Sequence, residues 1–138
     1  MSPSYHHGYV CLNVGSALKQ FEQYAVFSEL TLAIDKDYIP DICIYPKRTI
    51  NFAEKDIIRM TEMPVGVVEV TSPTQTPQDL LEKFDVYFEA GVQSCWLVVP
   101  PTMTVTVYRA PNQGQIFHTG EIVDPVLEIR IPINVIFE

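Results

Sequence analysis

The spacing of apolar residues divides the first part of the chain into one helix and two strands. Apolar side chains recur mostly at helical intervals over residues 7–22, which predicts an opening helix. Partial alternation over residues 25–34, and again over residues 38–45, predicts two strands that a short polar turn joins into a hairpin. Residues 46–64 are more polar and less regular, so we predict a connection with one helical turn near residues 54–60.

The middle of the chain carries clearer patterns. Residues 65–71 are apolar enough for a strand that is buried on both faces, as in the centre of an α/β sheet. Thr76 is placed as a helix N-cap with Pro77 in the first helical position, and Gly91 is placed to end the helix at about residue 90. These residues predict a buried central strand followed by an amphipathic helix.

Strand patterns dominate the remainder of the chain. They are predicted over residues 94–99, 102–108, 115–119 and 127–137, with a turn at residues 111–114. The order of elements predicts an α/β (α+β) fold in which helices flank a mixed central sheet. A length of 138 residues is typical of a single domain, here residues 1–138.

Composition supports a packed globule. Hydrophobic residues make up 47% of the chain and charged residues 19%. The apolar runs are too short to cross a bilayer, and the N-terminus lacks the pattern of a secretion signal, so we predict a cytoplasmic protein. Cys11, Cys43 and Cys95 are widely spaced in apolar stretches, which favours buried free thiols over disulfides or zinc ligands.

The charge balance limits how the chain can bind a polyanion. There are 17 acidic residues against 9 basic ones, a formal net charge of −8. Nucleic-acid-binding proteins usually neutralise phosphates with a basic face, and no dense basic run is present here. We therefore expect a monomer to bind nucleic acid weakly unless a dimer groups its positive charges or metal ions offset the carboxylates.

Two carboxylates interrupt otherwise apolar strand patterns. Asp41 falls within the strand predicted over residues 38–45, and Glu69 falls within the most hydrophobic strand, 65–71. An unpaired buried carboxylate costs several kcal/mol, so each needs a compensating group. For one such residue a basic partner or a backbone end is an adequate explanation. For two on strands that can be neighbours, a shared cation is the better one, and oxygen ligands suit Mg²⁺ or Mn²⁺.

Lys83 lies beside the apolar stripe of the predicted helix. A long side chain at this position could reach the strand that carries Glu69. The alternative is a surface pair with Asp79 in the favourable i, i+4 order, and helix geometry alone favours that alternative.

Four short motifs, in this order and spacing, resemble one known family. They are IPDICIY at residues 39–45, VVEVTSPT at 67–74, EKFDVYFEAGV at 82–92 and WLVVPP at 96–101. This combination resembles the Uma family of restriction-endonuclease-like proteins in the PD-(D/E)XK superfamily. The resemblance extends over most of residues 6–109, back to His7 and forward to Tyr108.

The resemblance implies the superfamily fold and a metal site made by Asp41 and Glu69. If the chain is a metal-dependent nuclease, the Val70 carbonyl is a candidate for a further metal ligand. In the wider superfamily a lysine follows the glutamate by two positions. Thr71 stands at that place here, and Lys83 matches a lysine that has moved to the helix in the family. The resemblance therefore implies that Lys83 is the third catalytic residue.

Three further expectations concern the start of the chain and the lining of the site. His7 matches a family histidine on the first helix, and a polar residue at a helix start is an equal alternative. Glu29 and Thr71 are candidates for lining the site, although Glu29 is equally well explained as a solvent-facing strand residue. The family pattern normally has a further N-terminal segment, so we expect a chain that is shortened there.

Two functions follow as hypotheses. The first is a Mg²⁺-dependent endonuclease, with Mn²⁺ able to substitute, that cuts nucleic acid, with DNA as the expected substrate and a homodimer as the expected assembly. The second is a catalytically inactive nuclease-fold domain that acts as a binding or homo-oligomeric assembly module. The acidic charge and Thr71 favour the second, and the retention of Asp41, Glu69 and Lys83 favours the first.

Overall fold

The computed structural model describes residues 4–138, which form three α-helices and ten strands. The helices are α1 (Tyr5–Leu18), α2 (Pro77–Glu89) and α3 (Asn134–Phe137). The strands are β1 (Tyr24–Ser28), β2 (Leu32–Ala33), β3 (Asp37–Tyr38), β4 (Ile42–Pro46), β5 (Gly66–Val70), β6 (Ser94–Val99), β7 (Thr104–Ala110), β8 (Gln113–Phe117), β9 (Glu121–Asp124) and β10 (Ile129–Pro132).

Six of these strands form one mixed sheet in the order β1-β4-β5-β6-β7-β8. β5 and β6 run parallel, and the other neighbouring pairs are antiparallel. Helix α2 makes the crossover that a parallel pair requires. The predicted mixed central sheet flanked by helices is therefore confirmed.

The buried side chains form two clusters, one on each face of the sheet. Alternate residues of β5 serve the two faces, so Val68 and Val70 belong to the cluster that includes α1, whereas Val67 belongs to the cluster that includes α2. All five residues of β5 are buried, as predicted for a central strand.

Helix α1 begins where Ser4 caps it and ends earlier than predicted. The Ser4 hydroxyl accepts a hydrogen bond from the His7 backbone N–H. The predicted end at residue 22 is wrong, because the chain turns after Leu18 and the Tyr24 N–H bonds to the Phe21 carbonyl to lead into β1.

The strand predicted over residues 25–34 is interrupted. β1 ends at Ser28, and Glu29 has a left-handed backbone with φ of 50° that redirects the chain. The following residues form β2, which pairs with β3 in a separate two-stranded ladder. The predicted antiparallel pairing of the two longer segments is confirmed as β1 against β4.

The helical turn predicted near residues 54–60 does not form. This segment contains only turns and bends, which local contacts such as the Ala53 N–H to the Asn51 side chain hold in place. Met60 joins Leu32 in an isolated bridge instead.

The elements from α2 to β8 follow the sequence closely. Thr76 and Asp79 form a reciprocal capping box at the start of α2, and Gly91, with φ of 109°, follows its end. β6 has the predicted bounds, and β7 and β8 form the predicted hairpin around Pro111 and Asn112.

The C-terminal prediction is wrong. Residues 127–137 do not form one strand, since they comprise β10 and the short helix α3. β10 pairs with β9, which the sequence pattern missed, in a two-stranded sheet that packs into the α1-side cluster. In the described part of the chain, no helix has the length and apolar character needed to cross a membrane.

Candidate metal centre

The pairing of β4 with β5 brings Asp41 and Glu69 together. Asp41 was predicted to lie inside a strand. In the structure it lies immediately before β4. The register pairs Ile42 with Val68, so one further step places Asp41 opposite Glu69. The Asp41 backbone N–H donates to Glu69 Oε1 at 3.4 Å, which links the two residues directly.

Short hydrogen bonds fix both carboxylates. Asp41 Oδ2 accepts from the Val70 backbone N–H at 2.7 Å, and Glu69 Oε2 accepts from the Tyr87 hydroxyl of α2 at 2.8 Å. Only 5% of Asp41 and 3% of Glu69 is exposed. The site is therefore held by β4, β5 and α2 together, with little freedom for either side chain.

The negative charge of this pair is poorly compensated. Burial, and secondarily the charge of Asp41, raises the pKa of Glu69 to about 7, against the opposing effects of the Tyr87 hydrogen bond and the Lys83 charge. Within residues 4–138, neither carboxylate forms an ion pair with a lysine or arginine. A lysine or arginine partner therefore does not explain either carboxylate among the described residues, and the groups that contact them are His7 and the Val70 N–H at Asp41, and the Asp41 N–H and the Tyr87 hydroxyl at Glu69.

Lys83 lies on α2 between the surface and the site. Lys83 is partly buried. The hydrogen bonds with Thr76 lower the pKa of Asp79, with a smaller effect of the Lys83 charge, and that charge also opposes the rise in the pKa of Glu69. Among the residues that the structure describes, Lys83 forms no ion pair with Asp79. The predicted surface pair of Lys83 with Asp79 is therefore absent from the described residues.

Helix α1 contributes a histidine and a thiol to the same place. His7 Nε2 lies 3.2 Å from Asp41 Oδ1, and the Cys11 Sγ atom lies 3.7 Å from both ring nitrogens of His7. Sequence reasoning missed Cys11, although its i, i+4 spacing from His7 was a usable sign. Cys11 is only partly buried, whereas Cys43 and Cys95 are fully buried, and all three are free thiols as predicted.

The remaining predicted residues surround this group at different distances. Glu29 is exposed, and its backbone N–H donates to the Asp41 carbonyl at 3.2 Å. Burial, followed by the charges of Asp41, Glu69 and Glu29, raises the pKa of the Cys11 thiol, which places all of these groups in one electrostatic neighbourhood. Thr71 is buried directly after β5 and has no charge to offer.

The residues present fit a divalent cation. Two buried carboxylates converge without a lysine or arginine partner among the described residues, and oxygen donors of this kind suit Mg²⁺ and Mn²⁺. A cation would also offset the burial and the Asp41 charge, which together raise the pKa of Glu69. The contact that the structure shows for Val70 is through its N–H to Asp41.

The mixed sheet, with Asp41 directly before β4 and Glu69 in β5, is the arrangement expected of a restriction-endonuclease-like domain. The chain belongs to the Uma2 family, described as "Putative restriction endonuclease", whose sequence pattern matches residues 1–134. The family resemblance predicted from the four motifs is thereby confirmed, and membership supports a nuclease function.

A solved structure has the same fold. It is described as that of "a putative nuclease belonging to DUF820 from Anabaena variabilis ATCC 29413", and it superposes with a TM-score of 0.79 at 20% sequence identity. The match covers 99% of this chain and 83% of the other. At this identity the likeness shows the fold alone. No curated protein matches the chain.

Proposed function

We propose that this chain is a Mg²⁺-dependent endonuclease that hydrolyses phosphodiester bonds in DNA. The observation that carries the proposal is the buried pair Asp41 and Glu69, which lie opposite each other and form no ion pair with a lysine or arginine of the described residues. Family membership supports a nuclease function. The metal and the DNA substrate are parts of our proposal.

Asp41, Glu69 and the Val70 carbonyl would hold the cation. A bound Mg²⁺ supplies a Lewis acid that polarises the scissile phosphate and lowers the pKa of an attacking water. The Tyr87 hydroxyl and the Val70 N–H each donate to one oxygen of the carboxylates, so they fix the orientation of the free lone pairs.

Lys83 supplies the positive charge that the chemistry needs. From the edge of α2 its ammonium group stabilises the charge that develops on the phosphate or orients the attacking water. His7 orients the Asp41 carboxylate, because its Nε2 atom lies 3.2 Å from Oδ1, the oxygen that does not accept the Val70 N–H.

The test is calorimetric titration of Mn²⁺ into chelator-treated protein. Wild-type protein should bind Mn²⁺, and Glu69→Ala should lose that binding because one of the two carboxylate ligands is gone. Glu89→Gln is the matched control, since Glu89 is an exposed residue at the end of α2. Binding should be followed by nuclease assays on single- and double-stranded DNA and RNA. A Glu69→Ala variant that binds Mn²⁺ and cuts like the wild type would refute the proposal.

The outer face of α1 favours a second candidate, an assembly module. Tyr5, Tyr9 and Leu12 are exposed large side chains at helical spacing, and Leu12 is 72% exposed. Such a stripe is typical of a face that is covered by another protein surface, here a second copy of this chain. Sedimentation of wild type and Leu12→Glu tests this: a dimer that Leu12→Glu dissociates, together with no Mn²⁺ binding, would favour the assembly module over the nuclease.

A further inference from the structure

We propose that His7, Cys11 and Asp41 form a site for a thiophilic divalent cation such as Zn²⁺ or Co²⁺. One ligand atom from each residue lies within 4.8 Å of the others. The set combines a nitrogen, a sulfur and an oxygen ligand, which suits Zn²⁺ and Co²⁺ and does not suit Mg²⁺. Cys11 was predicted to be a buried free thiol, and this assignment gives the partly buried thiol a role as a metal ligand.

The distances between the ligand atoms support the assignment. Zn²⁺ bond lengths in tetrahedral geometry require about 3.6 Å between sulfur and nitrogen ligands and about 3.4 Å between nitrogen and oxygen ligands. The structure has 3.7 Å from Cys11 Sγ to His7 Nε2 and 3.2 Å from His7 Nε2 to Asp41 Oδ1. Cys11 Sγ is equally distant from Nδ1, so the Cys11 side chain must rotate toward the in-plane lone pair of Nε2 for the two residues to share a cation.

The framework around these three residues is already rigid. His7 and Cys11 are one turn apart on α1, and His7 belongs to the buried stripe of that helix. The Val70 N–H holds the second oxygen of Asp41, so Oδ1 remains directed at His7. Three protein ligands from two fixed elements leave a fourth tetrahedral position for water or substrate, as in catalytic zinc sites.

The surrounding charge favours a cation. Asp41 lies within 4.8 Å of the thiol and the imidazole, and no lysine or arginine of residues 4–138 forms an ion pair with Asp41, Glu69 or Glu29. Binding replaces the thiol proton by the metal, and that proton passes to the solvent as metal binding requires.

Asp41 is common to this site and to the proposed Mg²⁺ site. A thiophilic cation should therefore compete with Mg²⁺ for Asp41, and this competition rests on the proposed function. The binding of the thiophilic cation itself does not depend on it, because His7 and Cys11 contribute ligands that the Mg²⁺ site does not use.

The experiment is titration of Co²⁺ into the reduced, chelator-treated full chain, followed by absorption spectroscopy. We expect a sulfur-to-cobalt charge-transfer band in the near ultraviolet at one equivalent. Cys11→Ser should lose this band, and His7→Gln should weaken Co²⁺ binding at least about tenfold. Circular dichroism checks that each variant is folded.

Cys43→Ala and Cys95→Ala are the matched controls, because both thiols lie in the α2-side core and neither is near His7. They should keep the band. A band that survives in Cys11→Ser, or its absence from the wild type, would overturn the assignment.

Mn²⁺ calorimetry on the same samples separates the two proposals. A cobalt–thiolate band that needs Cys11, in a protein that does not bind Mn²⁺, would support this site and refute the Mg²⁺ nuclease. Mn²⁺ binding that needs Glu69, in a protein that gives no cobalt–thiolate band, would support the Mg²⁺ nuclease and refute the thiophilic site.

Discussion

At the scale of single residues, Glu69 links the candidate site to folding stability. Its pKa is 4.5 in an ordinary environment and about 7 in the fold, so between these pH values the folded state holds a proton that the unfolded state has lost. The metal-free protein should therefore lose stability as pH rises from about 4.5 to about 7. The loss should be roughly 3 kcal/mol at most, and stability should change little from this cause above that range.

Urea unfolding of wild type and Glu69→Gln at pH 5 and pH 8, with chelator present, measures this effect. The difference between the two proteins isolates Glu69, because the other titrating groups are shared. The free energy of unfolding should fall less between pH 5 and pH 8 in Glu69→Gln than in wild type. Adding Mn²⁺ should stabilise wild type at pH 8. An equal fall in both proteins would mean that Glu69 ionises normally in the fold.

Lys83 offers a second prediction at this scale. Lys83→Gln should lower the rate of DNA cleavage by about 100-fold, because it removes a charge that acts on the phosphate rather than on the metal ligands. Mn²⁺ affinity should stay the same or increase, since the variant also removes a positive charge close to Glu69. Lys19→Gln, at the exposed end of α1, is the control for charge loss. Cleavage at the wild-type rate would assign Lys83 to a surface role.

The residues that sequence reasoning found and missed differ in one physical respect. Asp41 and Glu69 were predicted because a charge inside an apolar run is visible locally. The contacts of Asp124 were not predicted, because they join residues about 30 positions apart that only the fold brings together. The contact of Cys11 with His7 was missed although its helical spacing is visible in the sequence. The proximity of His7 to Asp41 was suggested by the family resemblance alone.

At the scale of elements, Asp124 joins the two-stranded sheet to the main sheet. It is fully buried at the end of β9 and accepts hydrogen bonds from the Ser94 hydroxyl and the Trp96 indole of β6. Its other carboxylate oxygen accepts from the backbone N–H groups of Val126 and Leu127. These four bonds fix the turn between β9 and β10 against the centre of the fold.

Asp124→Asn should destabilise the protein by about 2 kcal/mol or more. The asparagine has one carbonyl oxygen in place of two carboxylate oxygens, and its NH₂ group faces hydrogen-bond donors. At least one buried donor, such as the Trp96 indole N–H, therefore loses its acceptor. Trp96, the single tryptophan, reports unfolding by fluorescence. Asp85→Asn, on the exposed side of α2, is the control and should unfold at nearly the wild-type urea concentration. An Asp124→Asn variant as stable as the control would show that these bonds contribute little net stability.

The elements that the sequence predicted well have strong local determinants. Helix α2 has its capping box and terminal glycine, and β5 is apolar throughout. The prediction of one strand over residues 127–137 was wrong, because the alternation of apolar residues in β10 continues into α3. A helix of four residues is too short to show a helical period. The break at Glu29 is a backbone conformation that no hydrophobic pattern records.

At the scale of the whole molecule, the net charge of −8 opposes the approach of a polyanion. We expect weak binding of a DNA duplex in the presence of chelator, and binding at least about tenfold tighter with Ca²⁺, which coordinates oxygen ligands as Mg²⁺ does. Glu69→Gln should bind DNA slightly better than wild type in chelator and gain little from Ca²⁺. Fluorescence anisotropy at constant ionic strength measures both. A gain from Ca²⁺ that persists in Glu69→Gln would place the bridging cation elsewhere.

The register between β4 and β5 also determines where this chain can change its length during evolution. Asp41 and Glu69 face each other only because Ile42 pairs with Val68, so inserting or deleting one residue in either strand would separate the carboxylates and reverse the inward and outward faces of the strand. The connection over residues 47–64 is largely exposed and lies between the two strands. A change in its length alters neither the pairing of the carboxylates nor the inward and outward faces of the strands. Insertions and deletions among relatives should therefore accumulate in this connection and be almost absent from both strands.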